Sequence, residues 1–497
     1  MRNPRLSAKN ERRRRGCTSQ APPALRGLRP LGPPRPRIPA GRARPRRLAL
    51  PEGPPVSGEE LRAREGEGAR ADGRRASEEG LAGSAAASVP GGGAWRLAYV
   101  TDLELPHPLD AAGRDACLRR LSALFLDDAC ARRGGLGRVT RAVNATGEPF
   151  AVKALVLPDD GPGDPARRAE IVRRAFDEEY ESQRRLVGLE GFPQLYGRGM
   201  VDGKPVIIME WVEGETLEHA ARALAVDDDG RLSPLTAARL GRDLFELLVR
   251  MDQKAGGLAH RDLSPANVMV RTRELPLADQ AEAGAFDLRI VDFGSSALAQ
   301  RRETSLTEGF GAPRGATPDY APPEMLTDDV PQAPHARVSP AVDVYAAASV
   351  VYGLACGRPP FDLGAEGEVR SPYRCKTEDA PAPLRTAHDA APDLAAVLRR
   401  EPEVAAAAAS ASDEGLLRAA LASADARLGA VILPCLVVDQ AARPSAVTVR
   451  DGLAALCRDY ADLVRRALGG GTPDLAPAGG APCDGGGVRP PRIPRAR

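Results

Sequence analysis

Two short clusters stand out for the chemistry their residue types allow. In the first, His260-Arg261-Asp262 is followed by Asn267 five positions beyond the aspartate. A carboxylate and an amide on one loop can divide two jobs: the carboxylate accepts the proton of an attacking hydroxyl, and the amide oxygen ligates a hard cation. In the second, Asp292-Phe293-Gly294 closes the apolar run 288–291. An aspartate there offers the hard oxygen donors that suit magnesium held against phosphates. A third group lies upstream, where Gly134, Gly135 and Gly137 precede Val139, and Ala151-Val152-Lys153 follows a Thr146-Gly147 turn. Backbone N–H groups of a glycine-rich hairpin approach phosphates closely, and an ammonium on the next strand adds a point charge. Each group alone has a plainer reading: Asp262 or Asp292 as a turn residue or helix cap, Lys153 as a surface charge, the glycines as a turn.

These residues need elements to hold them. Residues 137–155 and 205–212 read as short β-branched or apolar strands with Gly and Asn turn signals between them. One charged helix is expected over 165–189, opening with Asp164 as N-cap and Pro165 at the first helical position. From residue 216 the dominant period is helical, as over 235–254 and 340–356, with short strands at 268–270 and 288–291. A small sheet-rich lobe followed by a larger helical one is the expected result. No internal repeat is visible.

Composition bounds the rest. Aromatic residues are 4% while Gly and Pro total 97 of the 497 residues, so part of the chain is expected to stay outside the core. Residues 1–94 read as a disordered basic arm rich in Arg, Pro and Gly, and residues 466–497 as a disordered Gly/Pro tail. The net charge of +2 hides an asymmetry: residues 1–50 hold fifteen Arg or Lys against one acid, Glu11, leaving −12 on the remainder. An acidic body argues against nucleic-acid binding by the folded part. Eight scattered cysteines form no C-x-x-C pair, no run of 18 uninterrupted apolar residues exists, and the Arg-rich start lacks a signal's apolar centre. A reduced, cytoplasmic protein without a membrane span is expected. An organellar transit peptide is the alternative for the arm.

In their order, and over residues 120–465, these motifs resemble a protein kinase catalytic domain of the soluble bacterial serine/threonine type. The resemblance implies an α+β, two-lobed fold: a small β-rich N-lobe over 95–211 and a larger, mainly helical C-lobe over 212–465. It implies that Gly134, Gly137 and Val139 cover the phosphates of ATP, that Ala151 lies at the nucleotide, and that Lys153 meets the phosphates while paired with Glu179, Glu178 being the fallback in register. Met209 becomes the gatekeeper, and Glu210 and Val212 offer backbone groups to adenine. Asp262 becomes the catalytic base, and Asn267 and Asp292 hold Mg²⁺. Thr317-Pro318-Asp319-Tyr320-Ala321-Pro322-Pro323-Glu324 resembles the close of an activation loop, Arg443 matches the distant partner of Glu324, and Asp343 the aspartate that braces the catalytic loop from beneath. Arg261 would pair with a phosphate on Thr304, Ser305 or Thr307. The implied activity is transfer of the γ-phosphate of ATP to a serine or threonine hydroxyl of a protein substrate, with two copies meeting as a homodimer for autophosphorylation.

The chain departs from the family at two positions. Arg132 stands where the first loop glycine belongs, and Ser264 stands two positions past Asp262, where a lysine usually supports the transferring phosphate. A pseudokinase scaffold therefore stays open beside an active kinase, as does a kinase-like enzyme acting on a small molecule, against which the 317–324 match speaks. Two insertions are expected as surface loops, 271–287 and 363–425, the second with its alanine run at 405–409.

Overall fold

The computed structural model describes residues 95–133, 137–157, 164–298, 316–327, 336–364 and 370–470. All lie in the compact unit Ala82–Arg497. The basic arm, most of the Gly/Pro tail, Gly134 and Gly135, and Thr304, Ser305 and Thr307 lie outside the described residues.

The N-lobe is an antiparallel sheet of β3 (Ala123–Arg133), β4 (Gly137–Val143), β5 (Pro149–Leu155), β6 (Leu195–Val201) and β7 (Lys204–Glu210). The turn between β4 and β5 is built by Asn144, whose Oδ1 accepts from Thr146 N, Thr146 Oγ1 and Glu148 N at 3.0, 2.7 and 3.0 Å. Gly147, at φ +80°, supplies the left-handed residue. Alternation along β5 then sorts its side chains. Phe150 and Val152 enter the sheet's core with Leu124, Leu126, Ala142, Val206 and Ile208. Lys153 and Leu155 take the other face, and there Leu155 packs with Phe176 and Tyr180 of α2 (Pro165–Arg185). Asp164 caps that helix by accepting from Ala166 N and Arg167 N, with Pro165 at its first position as expected.

Two strands precede this sheet. β1 (Arg96–Tyr99) pairs with β3, and β2 (Thr101–Glu104) pairs with β6, which makes the strand order β1-β3-β4-β5-β7-β6-β2. Only Val100 separates β1 from β2, so one continuous stretch covers both edges of the sheet. The strand bends at Asp102, whose φ is +52°, where the pairing with β6 is irregular. Helix α1 (Ala111–Leu121), capped by Asp110, leads into β3.

The C-lobe is helical. Helix α3 (Leu217–Leu224) precedes α4 (Pro234–Ala255), which ends at Gly256 with φ +66°. A helix over 341–356 (α6, Ala341–Cys356) is buried on nearly every side and forms the lobe's centre, packed chiefly against α4, which in turn packs against Ala446–Leu468 (α12), itself beside Glu414–Ile432 (α11). The segment Glu414–Leu436 is long and apolar enough to cross a membrane, yet half of its apolar window is buried, with Leu421, Ala424, Leu428 and Ile432 in the lobe's core. Two small sheets complete the lobe: β8 (Gly214–Thr216) with β10 (Val268–Arg271) and β11 (Leu288–Ile290), and β9 (Leu258–Ala259) with β12 (Ala297–Leu298).

Both expected insertions are more ordered than surface loops. Within 271–287 lies α5 (Leu277–Ala283), and buried Gln280 laces it down, donating to the carbonyls of Arg271 and Leu275 and accepting from Asp287 N. The segment 363–425 holds α7 to α10 (Pro372–Glu378, Ala387–Ala390, Leu394–Leu398 and Pro402–Ala408), with the alanine run entering the last of them. It is anchored by a polar knot. His388 Nε2 lies 2.7 Å from Glu401 and Nδ1 3.0 Å from Asp425, which also accepts from Thr386 Oγ1 and Tyr460 OH.

Candidate active site

Lys153 lies on β5, with its Nζ 2.6 Å from Glu179 Oε1 and 2.8 Å from Asp292 Oδ1. Glu179 is fully buried and Lys153 is 3% exposed, while Asp292 is 39% exposed. Its neighbour Glu178 points instead toward Arg174, 3.2 Å away on the helix surface. Gln183, one turn on, donates to Glu179 Oε1 at 3.1 Å and holds the carboxylate in place. Burial alone would lower the Lys153 ammonium, but the charges of Glu179 and Asp292 hold it above its ordinary value. Burial would raise Asp292, yet the Lys153 charge and the Gly294 N–H keep its carboxyl below the usual range.

Close to Lys153, Gly137 is required for space. A Cβ there would come 2.7 Å from the Ala154 carbonyl and 3.3 Å from Lys153 Cγ. Val139 pairs with Lys153 on one side and with Arg132 on the other, and Arg132 is exposed on β3. Across β5, Ala151 pairs with Met209, which packs against the cluster of Leu155, Phe176, Tyr180, Leu195 and Ile207. Beyond it, Glu210 N donates to Gln194 O at 2.8 Å, and Val212 is buried.

The loop from His260 to Asn267 is set from below. Asp343, buried on α6, accepts His260 N at 2.7 Å and Arg261 N at 2.9 Å, and burial pushes its carboxyl up. Those bonds hold Arg261 at φ +72°, and Asp292 sits at φ +63°. Backbone strain of this kind persists only where the surroundings over-determine it. The His260 ring lies between Val291 O, 3.0 Å from Nε2, and Phe293, whose ring centre is 4.9 Å away, so the two loops are one unit.

Asn267 Nδ2 donates to Asp262 O and Oδ2 at 2.8 and 3.1 Å. Asp262 Oδ1 accepts from both Thr317 N and Thr317 Oγ1 at 3.0 Å. Burial raises the Asp262 carboxyl, more than His260 and the two Thr317 hydrogen bonds pull it down. Ser264 is buried, and its carbonyl accepts Asn267 N at 3.0 Å. Further along, Arg443 grips Glu324 through both terminal nitrogens at 2.6 and 2.9 Å, with Gln440 adding a third donor at 2.8 Å.

The structure therefore brings Lys153, Glu179 and Asp292 into one cluster, and Asp262, Asn267 and Thr317 into a second. Gly134 lies outside the described residues. Sequence reasoning missed Gln183, whose spacing of four from Glu179 on one helix face was an available signal.

Residues 133–451 match the family model described as the protein kinase domain, and the chain belongs to the protein kinase family. Among curated proteins it is similar to two serine/threonine-protein kinases of Streptomyces coelicolor. The match to PkaA is 32% identical over 163 residues, 33% of this chain and 25% of that protein. The match to PkaB is 30% identical over 254 residues, 50% of this chain and 53% of that protein. The chain thus spans between a quarter and about half of the length of these relatives.

Proposed function

We propose that this protein is an active, ATP-dependent serine/threonine protein kinase. The observation that carries the reading is the Lys153 ammonium bonded at once to Glu179 and Asp292. Phosphoryl transfer relies mainly on positioning and charge stabilisation, and this cluster fixes a positive charge where phosphates would lie. Lys153 serves the phosphates under the loop of Gly134, Gly137 and Val139, while Ala151, Met209, Glu210 and Val212 frame the adenine. Asp262 accepts the proton of the acceptor hydroxyl, a role suited by the upward shift that burial gives its carboxyl. Thr317 holds that carboxylate in register with the segment that presents the acceptor, and the Glu324–Arg443 pair anchors the segment's end.

The Asp292 carboxylate and the Asn267 amide are hard oxygen donors, the chemistry magnesium needs. Among the described residues no group of three or more His, Cys, Asp or Glu could hold a metal, so the remaining ligands would come from phosphate and water. Bound there, Mg²⁺ would neutralise phosphate charge. A protein acceptor, a homodimer for autophosphorylation through Arg261 and the 304–307 residues, and a cytoplasmic location belong to the same proposal. The six described cysteines are all free, which supports a reducing compartment.

Buried Ser264, in place of the usual lysine, favours a second reading: a pseudokinase that binds nucleotide without turnover. Incubating the full chain with γ-labelled ATP, Mg²⁺ and a generic protein substrate separates the two. Label on serine or threonine supports the kinase. Nucleotide binding with no label on either protein would replace it with the pseudokinase.

A further inference from the structure

Lys376 stands on α7, in a segment where the sequence suggested only a loop, and no role above uses it. It is 1% exposed. A buried amine is costly unless its donors are taken. Here Nζ donates to two main-chain carbonyls, Asp319 O at 3.0 Å and Ala321 O at 2.7 Å. The ring centres of Tyr345 and Phe361 lie 5.4 and 5.7 Å away. Burial pushes the amine down to about 7, offset only in part by Asp319, Cys375 and Glu324. The neutral amine still has two N–H groups and the ammonium three, so both carbonyls are served in either state.

Those carbonyls belong to the turn that starts at Thr317. Tyr320 N and Ala321 N close it by donating to Thr317 O at 3.1 and 3.0 Å. Thr317 in turn makes both hydrogen bonds to Asp262. A continuous path therefore runs from Lys376 through two carbonyls and one turn to the proposed base. The Glu324–Arg443 pair fixes only the far end of the segment, and Thr317 only the near end.

We propose that Lys376 is a positioning residue for acceptor recognition, a strut that fixes residues 317–321 from the C-lobe side and so sets the surface on which the acceptor meets Asp262. This rests on the kinase reading above. A methionine in its place keeps the shape and the contact with the two rings but leaves both carbonyls without their donor.

The test compares the full chain with Lys376→Met by amide hydrogen exchange and by peptide phosphorylation. Losing two hydrogen bonds should speed exchange at the Thr317, Tyr320 and Ala321 amides by at least about tenfold, with α4 and α6 unchanged. KM for an acceptor peptide should rise by about fivefold or more while KM for ATP stays within about twofold. If Lys376→Met does not fold, Lys376→Gln, which keeps an N–H₂ group one bond shorter, should show the same pattern more weakly. Unchanged exchange over 317–321, or exchange faster by the same factor in every segment, overturns the proposal. If neither protein transfers phosphate, the kinase reading falls, while the exchange comparison still decides whether Lys376 holds the segment.

Discussion

Replacing His388 should change how the stability of this protein depends on pH. Both ring nitrogens face carboxylate oxygens, Glu401 at 2.7 Å and Asp425 at 3.0 Å, so both must donate and the ring must be protonated. Burial opposes that charge, but the two carboxylates prevail and push the imidazole up to about 10, against an ordinary 6.5. Below pH 6.5 folded and unfolded chains both carry the proton, and the contribution to stability is complete. Above it the unfolded chain releases the proton while the folded one keeps it, and stability falls by about 1.4 kcal/mol per pH unit until the folded imidazole titrates. From pH 7 to 9 the loss is about 3 kcal/mol, a large share of a typical 5–15 kcal/mol. The comparison is urea denaturation at pH 7, 8 and 9 of the natural chain and of a His388→Gln, Glu401→Gln, Asp425→Asn triple variant, which keeps the volume and leaves no acid or imidazole in the knot. The natural chain should lose about 3 kcal/mol more than the variant across that range. Parallel curves would refute a protonated His388. His388→Gln alone should cost about 3–5 kcal/mol at pH 7, since two buried carboxylates lose their counter-charge.

Three further outcomes are expected. Lys153→Met and Asp292→Ala should each lower kcat/KM by about a hundredfold or more with an unchanged circular dichroism spectrum, and near-normal rates in either would displace the site assignment. Arg443→Met should cost about 3–5 kcal/mol by urea denaturation, because Arg443 is buried against Glu324; a loss under about 1 kcal/mol would mark the pair as energetically superficial. A positional peptide library should show less than about a tenfold preference for arginine upstream of the acceptor, since Glu213 is 40% exposed and surface pairs are worth little.

What could be read in the sequence was chiefly what chemistry constrains. Lys153, Asp262, Asn267 and Asp292 could be singled out as candidates because few residue types suit the proposed jobs at that spacing, and the structure groups Lys153 with Asp292 and Asp262 with Asn267. Glu179 and Glu178 were ambiguous as neighbours, although Phe176, Glu179, Tyr180 and Gln183 share the buried face of α2 at helical spacing and point to Glu179. The helix Leu277–Ala283 was illegible because its stability lies in Gln280's contacts with Arg271, Leu275 and Asp287, not in its polar, weakly patterned residues. Lys376 was invisible for the same reason: a lysine on a short helix looks like a surface residue until the segment that covers it is in place.

The stretch from Arg96 to Glu104 bears on where this protein can be cut. The family match begins at residue 133, the last residue of β3, so a fragment trimmed to it would discard β1, β2, α1 and nearly all of β3. Trimming to residue 123 would spare β3 but bare the sheet along both margins at once, because the single span Arg96 to Glu104 seals the two of them. Unpaired margins of that kind recruit other chains. The smallest piece of this chain that keeps both margins sealed is therefore larger than its family signature, and it begins at or before Arg96.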